Sequence, residues 1–210
     1  MLNEKINRIT KYILDHHHCH TVILYGSHAR NESTPTSDYD IIAIRDNGEF
    51  ERDCRIFENS YLDIFIYPPN VIENIDPGMI RAKDGIVLCQ KDHMGDQLLD
   101  KIKALFQQGP PKTPDWEQHE IIGWLQKMLL RANEDNIEGN YRRHWLLHDL
   151  LECYFKLRDR WYLGPKESFK WLQIHDQKTY LAFDTALKSD ARLSDIDELI
   201  RQVITIEHQQ

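Results

Sequence analysis

The chain predicts an α/β domain, a short mixed sheet with flanking helices, followed by an all-α helical bundle. Three observations carry that reading. Short apolar runs rich in β-branched and aromatic residues, TVILYG (21–26), YDIIAI (39–44) and YLDIFIY (61–67), are confined to the first part of the chain. GPPKTP at 109–114 then places three prolines and a glycine in six residues, which no helix continues through. Beyond it, apolar residues recur at helical spacing with few strand-like runs.

Each element follows in order. Leu2, Ile6, Ile9, Ile13 and Leu14 share one helical face, so a first helix covers about 2–16. TVILYG is a buried strand ending at glycine, YDIIAI a second strand and YLDIFIY a third. The intervening RDNGEFERDCRIFENS reads as connection, with Asn47-Gly48 as its turn signal. Pro68-Pro69 ends the third strand, DGIVLCQ (84–90) offers a fourth, and MGDQLLDKIKALFQQ (94–108) is a helix. Helices are then expected at 115–133, 141–161, 166–188 and 194–207. The predicted domains are 1–108 and 115–210.

Composition bounds the function. The chain has 210 residues, 41% hydrophobic and 29% charged, with a net charge of -8. That suits a globular core and opposes broad, sequence-independent nucleic-acid binding, which needs many Lys and Arg contacts to phosphate. Cys19, Cys54, Cys89 and Cys153 form no C-x-x-C pair and suggest neither a zinc site nor a disulfide framework. The charged, amphipathic N-terminus lacks the apolar centre of a signal peptide, and no stretch reaches the length of a membrane span. A cytoplasmic location is expected.

The chemistry concentrates in LYGSHARNESTPTSDYDIIAI (24–44). Asp38 and Asp40 stand two apart at the head of a strand, so they project to the same side. Two carboxylates so close repel, and a shared divalent cation relieves this. All-oxygen ligands suit Mg²⁺, which completes its shell with water and phosphate. Asp63, flanked by apolar residues in the next strand, can reach the same place if the strands pair. Three carboxylates can hold two metal ions, the arrangement that clamps an in-line phosphoryl displacement. Gly26 lets the backbone approach a ligand, the Ser27 hydroxyl can donate to phosphate, and Arg30 can add a charge-assisted contact. Ser37 and Asp38 also have the composition of a simple turn before a strand.

This conjunction resembles the nucleotidyltransferase superfamily related to DNA polymerase β. The matching residues are Gly26, Ser27, Asp38, Asp40 and Asp63, within about residues 21–67. The small-substrate bacterial branch has a glycine after the arginine, where this chain has Asn31, a residue that also tolerates a left-handed turn. The resemblance implies a nucleoside triphosphate, ATP above others, as donor, with two Mg²⁺ ions. Gly26, Ser27, Arg30 and Ser37 would lie on the nucleotide.

The helical half resembles that of the aminoglycoside (kanamycin-type) nucleotidyltransferases. There a glutamate on a helix serves as general base, and a lysine one turn later touches the triphosphate. Glu152 and Lys156 have that spacing, although a Glu–Lys surface pair has it too. Asp149 is the rival base, and Asp63 a third. The acceptor expected from this resemblance is a small-molecule hydroxyl. No membrane partner is expected, nucleic acid is disfavoured, and a homodimer stays an open option. RRHWLLH places Arg143 and His148 with four residues between them, resembling the R-x₄₋₆-H motif of HEPN ribonucleases. That leaves RNA cleavage, or transfer to RNA or protein, as alternatives. Basic and aromatic residues interleave over 156–171 and could bind phosphate and stack a base, or serve the core. HHHCH (16–20) reads as a solvated helix end with Asp15 as its one acidic neighbour.

Overall fold

The computed structural model describes residues 2–206, with side chains from residue 4 onward. Residues 207–210, including the end of the helix expected at 194–207, lie outside the described residues. The chain divides into two compact units, Met1–Gln108 and Gly109–Gln210.

The first unit begins with helix α1 (Leu2–His17). Strands β1 (Thr21–Tyr25), β2 (Tyr39–Ile44), β3 (Glu51–Phe57), β4 (Ser60–Tyr67) and β5 (Ile86–Cys89) form one mixed sheet in the order β3-β4-β2-β1-β5. The β2–β4 pair is parallel and the others antiparallel. A four-residue helix α2 (Gly26–Ala29) follows β1 directly. Two 3₁₀ turns, Pro69–Ile72 and Pro77–Ala82, and helix α3 (Met94–Gln108) complete the unit.

Strand alternation sorts the sheet into two faces. Val22, Leu24, Ile41, Ala43, Leu62, Ile64 and Ile66 meet Ile9 and Ile13 of α1. Ile23, Ile42 and Ile44 meet Leu98, Leu99 and Ile102 of α3, with Val71 and Met79 from the 3₁₀ turns. Asp40 is in phase with Ile42 and Ile44. It therefore heads the α3 face of β2, at the end where the apolar layer stops.

The second unit holds α4 (Asp115–Ala132), α5 (Ile137–Lys156), α6 (Pro165–His175), α7 (Gln177–Ala186) and α8 (Leu193–Ile204). Leu125, Leu146, Leu150, Tyr154, Phe183 and Leu199 are among its buried core. No helix among the described residues is long and apolar enough to cross a membrane.

Three expectations need correction. RDNGEFERDCRIFENS contains the edge strand β3, closed onto β4 through Glu58 and Asn59, both at positive φ (46° and 62°). The single helix expected over 166–188 is two helices. Asp176 ends α6 and starts α7: its Oδ1 accepts from Thr179 N–H at 3.0 Å, and its Oδ2 accepts from Tyr154 Oη at 2.7 Å. The helix expected at 141–161 starts earlier and stops earlier. Asn136 caps its start by accepting from Gly139 N–H. Past its end Asp159 turns left-handed at φ 49° and accepts from Thr113 N–H at 2.7 Å.

Candidate active site

Register builds the site. Tyr25, the last residue of β1, lies opposite Asp40, and Asp40 lies beside Asp63 of the parallel neighbour β4. Side chains in register on adjacent strands share a face, so Asp40 and Asp63 project together. Asp38, two residues before Asp40, joins from the exposed approach to β2. The three carboxylates are close enough to act on one another electrically. Burial first, then Asp38 and Asp63, raise the Asp40 carboxyl to about 6, against the opposing pull of Arg30 and Arg81. Tyr25 is also pushed up, by burial and then by Asp40 and Asp63.

Gly26 is required at its position twice over. Its φ is +72°, a conformation that L side chains rarely adopt. A Cβ built there would also lie 2.1 Å from Asp40 Oδ2. The backbone thus turns against the carboxylate, into the single helical turn of α2. Glu32 N–H, donating to the Ser27 carbonyl at 2.9 Å, extends that turn. Asn31 follows at φ 58°, the left-handed turn anticipated for that residue.

The loop from α2 to β2 is pinned at both ends. His28 is buried and stacks on Tyr39 with ring centroids 3.8 Å apart. Its Nε2 lies 3.4 Å from the Ser37 carbonyl, and burial lowers its pKa. The Ser37 hydroxyl accepts from Thr34 N–H at 2.9 Å, so this serine closes the turn that delivers Asp38. Arg30 lies 3.2 Å from Glu32 while its field reaches Asp40.

Asp63 differs from its two companions. Arg52 grips it with two hydrogen bonds of 2.8 Å, and Cys54 Sγ donates to it at 3.1 Å. These hold the Asp63 carboxyl below its ordinary range, the Arg52 bonds most strongly. The Arg52 guanidinium also lies over the Phe65 ring, 4.8 Å from its centroid. Arg52 and Cys54 were hidden from sequence reasoning because they belong to β3. Arg81 was hidden because nothing in PGMIRA signals that its 3₁₀ turn returns to the carboxylates.

Among the described residues no group of three or more His, Cys, Asp or Glu side chains is arranged to hold a metal ion. The donor chemistry of Asp38 and Asp40 nevertheless fits a divalent cation. Both offer hard oxygen ligands, and burial with the neighbouring carboxylates disfavours the charge on Asp40, a penalty that a cation would relieve. Asp63 would join as a third ligand only by sharing its oxygens with Arg52.

In the helical unit, Glu152 and Lys156 are both exposed on α5. Lys156 Nζ is drawn to Glu117 Oε1 at 2.6 Å. Asp149 lies 2.7 Å from His148 Nδ1. Arg143 donates to the Ala191 carbonyl. Five residues along a helix turn the direction by about 140°, so Arg143 and His148 face different ways. The helix does not bring them together as one RNA-cleaving pair.

HHHCH is only partly a solvated end. His17 is buried with its Nε2 2.8 Å from Asp53 Oδ2, and His20 Nε2 lies 3.3 Å from Asp46. The acidic partners come from outside the local sequence, Asp53 from the unpredicted strand β3.

Residues 7–94 match the family described as "Polymerase beta, Nucleotidyltransferase". A solved structure, a nucleotidyltransferase-like protein from Exiguobacterium sibiricum 255-15, is similar at 12% identity and a TM-score of 0.43. That alignment covers 95% of this chain and 73% of the other. No curated protein sequence matches the chain.

Proposed function

Because residues 7–94 form a nucleotidyltransferase domain of the DNA polymerase β-like superfamily, we propose that the protein moves a nucleoside monophosphate, AMP from ATP, onto an acceptor hydroxyl. The observation that supports this most is Asp40, in register with Asp63 and touched by the left-handed backbone of Gly26. In the reaction the acceptor oxygen bonds to the α-phosphorus, the bond from that phosphorus to the β-phosphate bridge breaks, and pyrophosphate leaves. The acceptor's proton passes to a base.

Asp38 and Asp40 would hold Mg²⁺, with Asp63 alongside; the ion supplies charge neutralisation to the triphosphate and its leaving group. Gly26 and the Ser27 hydroxyl offer the phosphates close backbone approach and a donor. Arg30 adds positive charge there, and Ser37 sets the turn that presents Asp38. Asp63 is a weak base while Arg52 holds it, so orientation is its better role. Asp149 already shares a hydrogen bond with His148. Glu152 is the candidate general base, with Lys156 as the residue that follows it one turn on. The acceptor class is a small-molecule hydroxyl of aminoglycoside type.

The test is transfer of label from α-labelled nucleoside triphosphates with Mg²⁺, against aminoglycosides, RNA and protein acceptors. Asp40→Asn should lower transfer by about 10³-fold or more, since it removes a charged ligand of the cation that would neutralise the triphosphate. Glu152→Gln keeps the shape and removes the basicity, and should lower turnover about 10²–10⁴-fold while sparing triphosphate binding. Full Mg²⁺-dependent transfer by Asp40→Asn would overturn the reading.

A further inference from the structure

The helical unit contains a cavity of about 490 Å³ lined by its own residues. This lies within the range of small-molecule sites. Arg158, Arg160 and Lys178 line it against Asp159 and Asp176. Both acids are occupied. Asp159 accepts from Thr113 N–H. Asp176 accepts from Tyr154 Oη, from Thr179 N–H and from Thr179 Oγ1. Arg158 donates to the carbonyls of Gln202, Val203 and Thr205 at 2.7–3.0 Å, which joins α5 to the C-terminal end of α8. The lining thus sets three cationic side chains against two carboxylates that already accept from other donors, a net charge of +1 in a chain whose net charge is -8.

Its wall is also layered. The Arg160 guanidinium lies over the Trp171 ring at 4.6 Å, and the Trp171 and His175 rings stack at 4.8 Å and 28°. His175 and Arg160 are exposed, so the layers remain reachable from solvent. Guanidinium, indole and imidazole in one stack is an edge that accepts a further flat ring.

We propose that this cavity binds a small ligand carrying both a phosphate and a planar ring, the chemistry of a nucleoside monophosphate. Arg160 and Lys178 take the phosphate, and the Trp171–His175 stack takes the ring. Its lining residues all belong to the helical unit, and the proposal does not depend on the transfer reaction.

All five tryptophans, Trp116, Trp124, Trp145, Trp161 and Trp171, lie in this unit, so their fluorescence reports on it. The full chain is titrated with AMP and with inorganic phosphate, in EDTA to silence metal-dependent binding. A saturable change with AMP is expected, with phosphate at least about tenfold weaker because it lacks the stacking ring. Asp38→Asn combined with Asp40→Asn should leave it unchanged. Arg160→Ala and Lys178→Ala should each weaken AMP about fivefold or more, as loss of a charge-assisted contact requires. Lys178 is exposed, so its variant folds even if Arg160→Ala disturbs Trp171. No saturable change, a change indifferent to Lys178→Ala, or one lost in the double aspartate variant would overturn the proposal. Equal binding of phosphate and AMP would overturn its ring half.

Discussion

The two faces of the sheet each carry a shielded aspartate, and the protein treats them oppositely. On the α1 face, Asp53 is buried, yet His17 meets one oxygen at 2.8 Å and Arg55 the other at 2.7 Å. On the α3 face, Asp40 stands among Asp38 and Asp63, whose repulsion the fields of Arg30 and Arg81 oppose. One carboxylate is satisfied by the fold. The other carries a charge that its surroundings disfavour. A structural acid is paired, whereas the site proposed to receive a cation and a triphosphate is electrically strained.

The widest separation between the two should appear in stability. Asp53→Ala leaves the buried His17 without the partner of its Nε2, and should destabilise by about 3 kcal/mol, the cost of breaking a buried pair. Asp40→Asn should be neutral or stabilising, because it removes repulsion. Urea unfolding of both variants measures this. Equal losses would show that Asp40 is a structural acid like Asp53.

Gly26→Ala sharpens the comparison from the backbone side. The new Cβ would occupy space held by Asp40 Oδ2, so the carboxylate must swing aside. A displacement of that size at a reacting centre should cost about 10²-fold in transfer. The positive φ adds about 1 kcal/mol of strain. Steady-state transfer and thermal melts separate the two effects.

Legibility followed the same division. Gly26, Asp38, Asp40 and Asp63 were readable because polar residues interrupt apolar strands at positions with no core purpose. The strands β1, β2 and β4 carry continuous apolar runs, and α3 carries a clean helical face. Strand β3 was unreadable because it is an edge strand. Of its residues Glu51 to Phe57, only Asp53 is buried, and a buried acid looks like a loop residue until His17 is placed beside it. The Asp176 break was unreadable for a related reason. Its signal is an N-cap within an otherwise periodic run, and Tyr154, which fixes it, lies 22 residues away. With β3 missing, Arg52 could not be placed on Asp63.

The next effect is smaller and depends on pH. Folding raises the Asp40 carboxyl from 3.8 to about 6. The folded state therefore holds a proton that the unfolded chain has lost between those values. Stability from this group is present below 3.8 and is lost as pH rises through about 6. Solvent shares part of the charge, so the expected loss is about 1–2 kcal/mol. In EDTA, wild type should lose that much relative to Asp40→Asn between about pH 3.5 and about 8, from just below the unfolded value to about two units above the folded one. Mg²⁺ at pH 8 should restore stability in wild type and not in the variant. Parallel pH profiles without Mg²⁺ would remove the electrical distinction drawn between Asp40 and Asp53.

The smallest effect is expected at His148. Its side chain is 85% exposed and meets Asp149 at 2.7 Å. Arg143, its supposed partner in RNA cleavage, is turned to the Ala191 carbonyl. A catalytic pair needs both groups on one reacting phosphate, and here the two side chains are engaged with different partners. His148→Ala should therefore leave nucleotidyl transfer within about twofold, as an exposed surface substitution does. The variant also asks which acid is the base. If Asp149 were the base, its bond to His148 would set both its orientation and its basicity, and losing the imidazole would change turnover and shift its pH profile. If Glu152 is the base, neither moves. A turnover loss beyond tenfold with a displaced pH profile would transfer the role to Asp149. Cleavage of RNA by wild type without a triphosphate, abolished in His148→Ala, would instead give the helical unit an activity of its own.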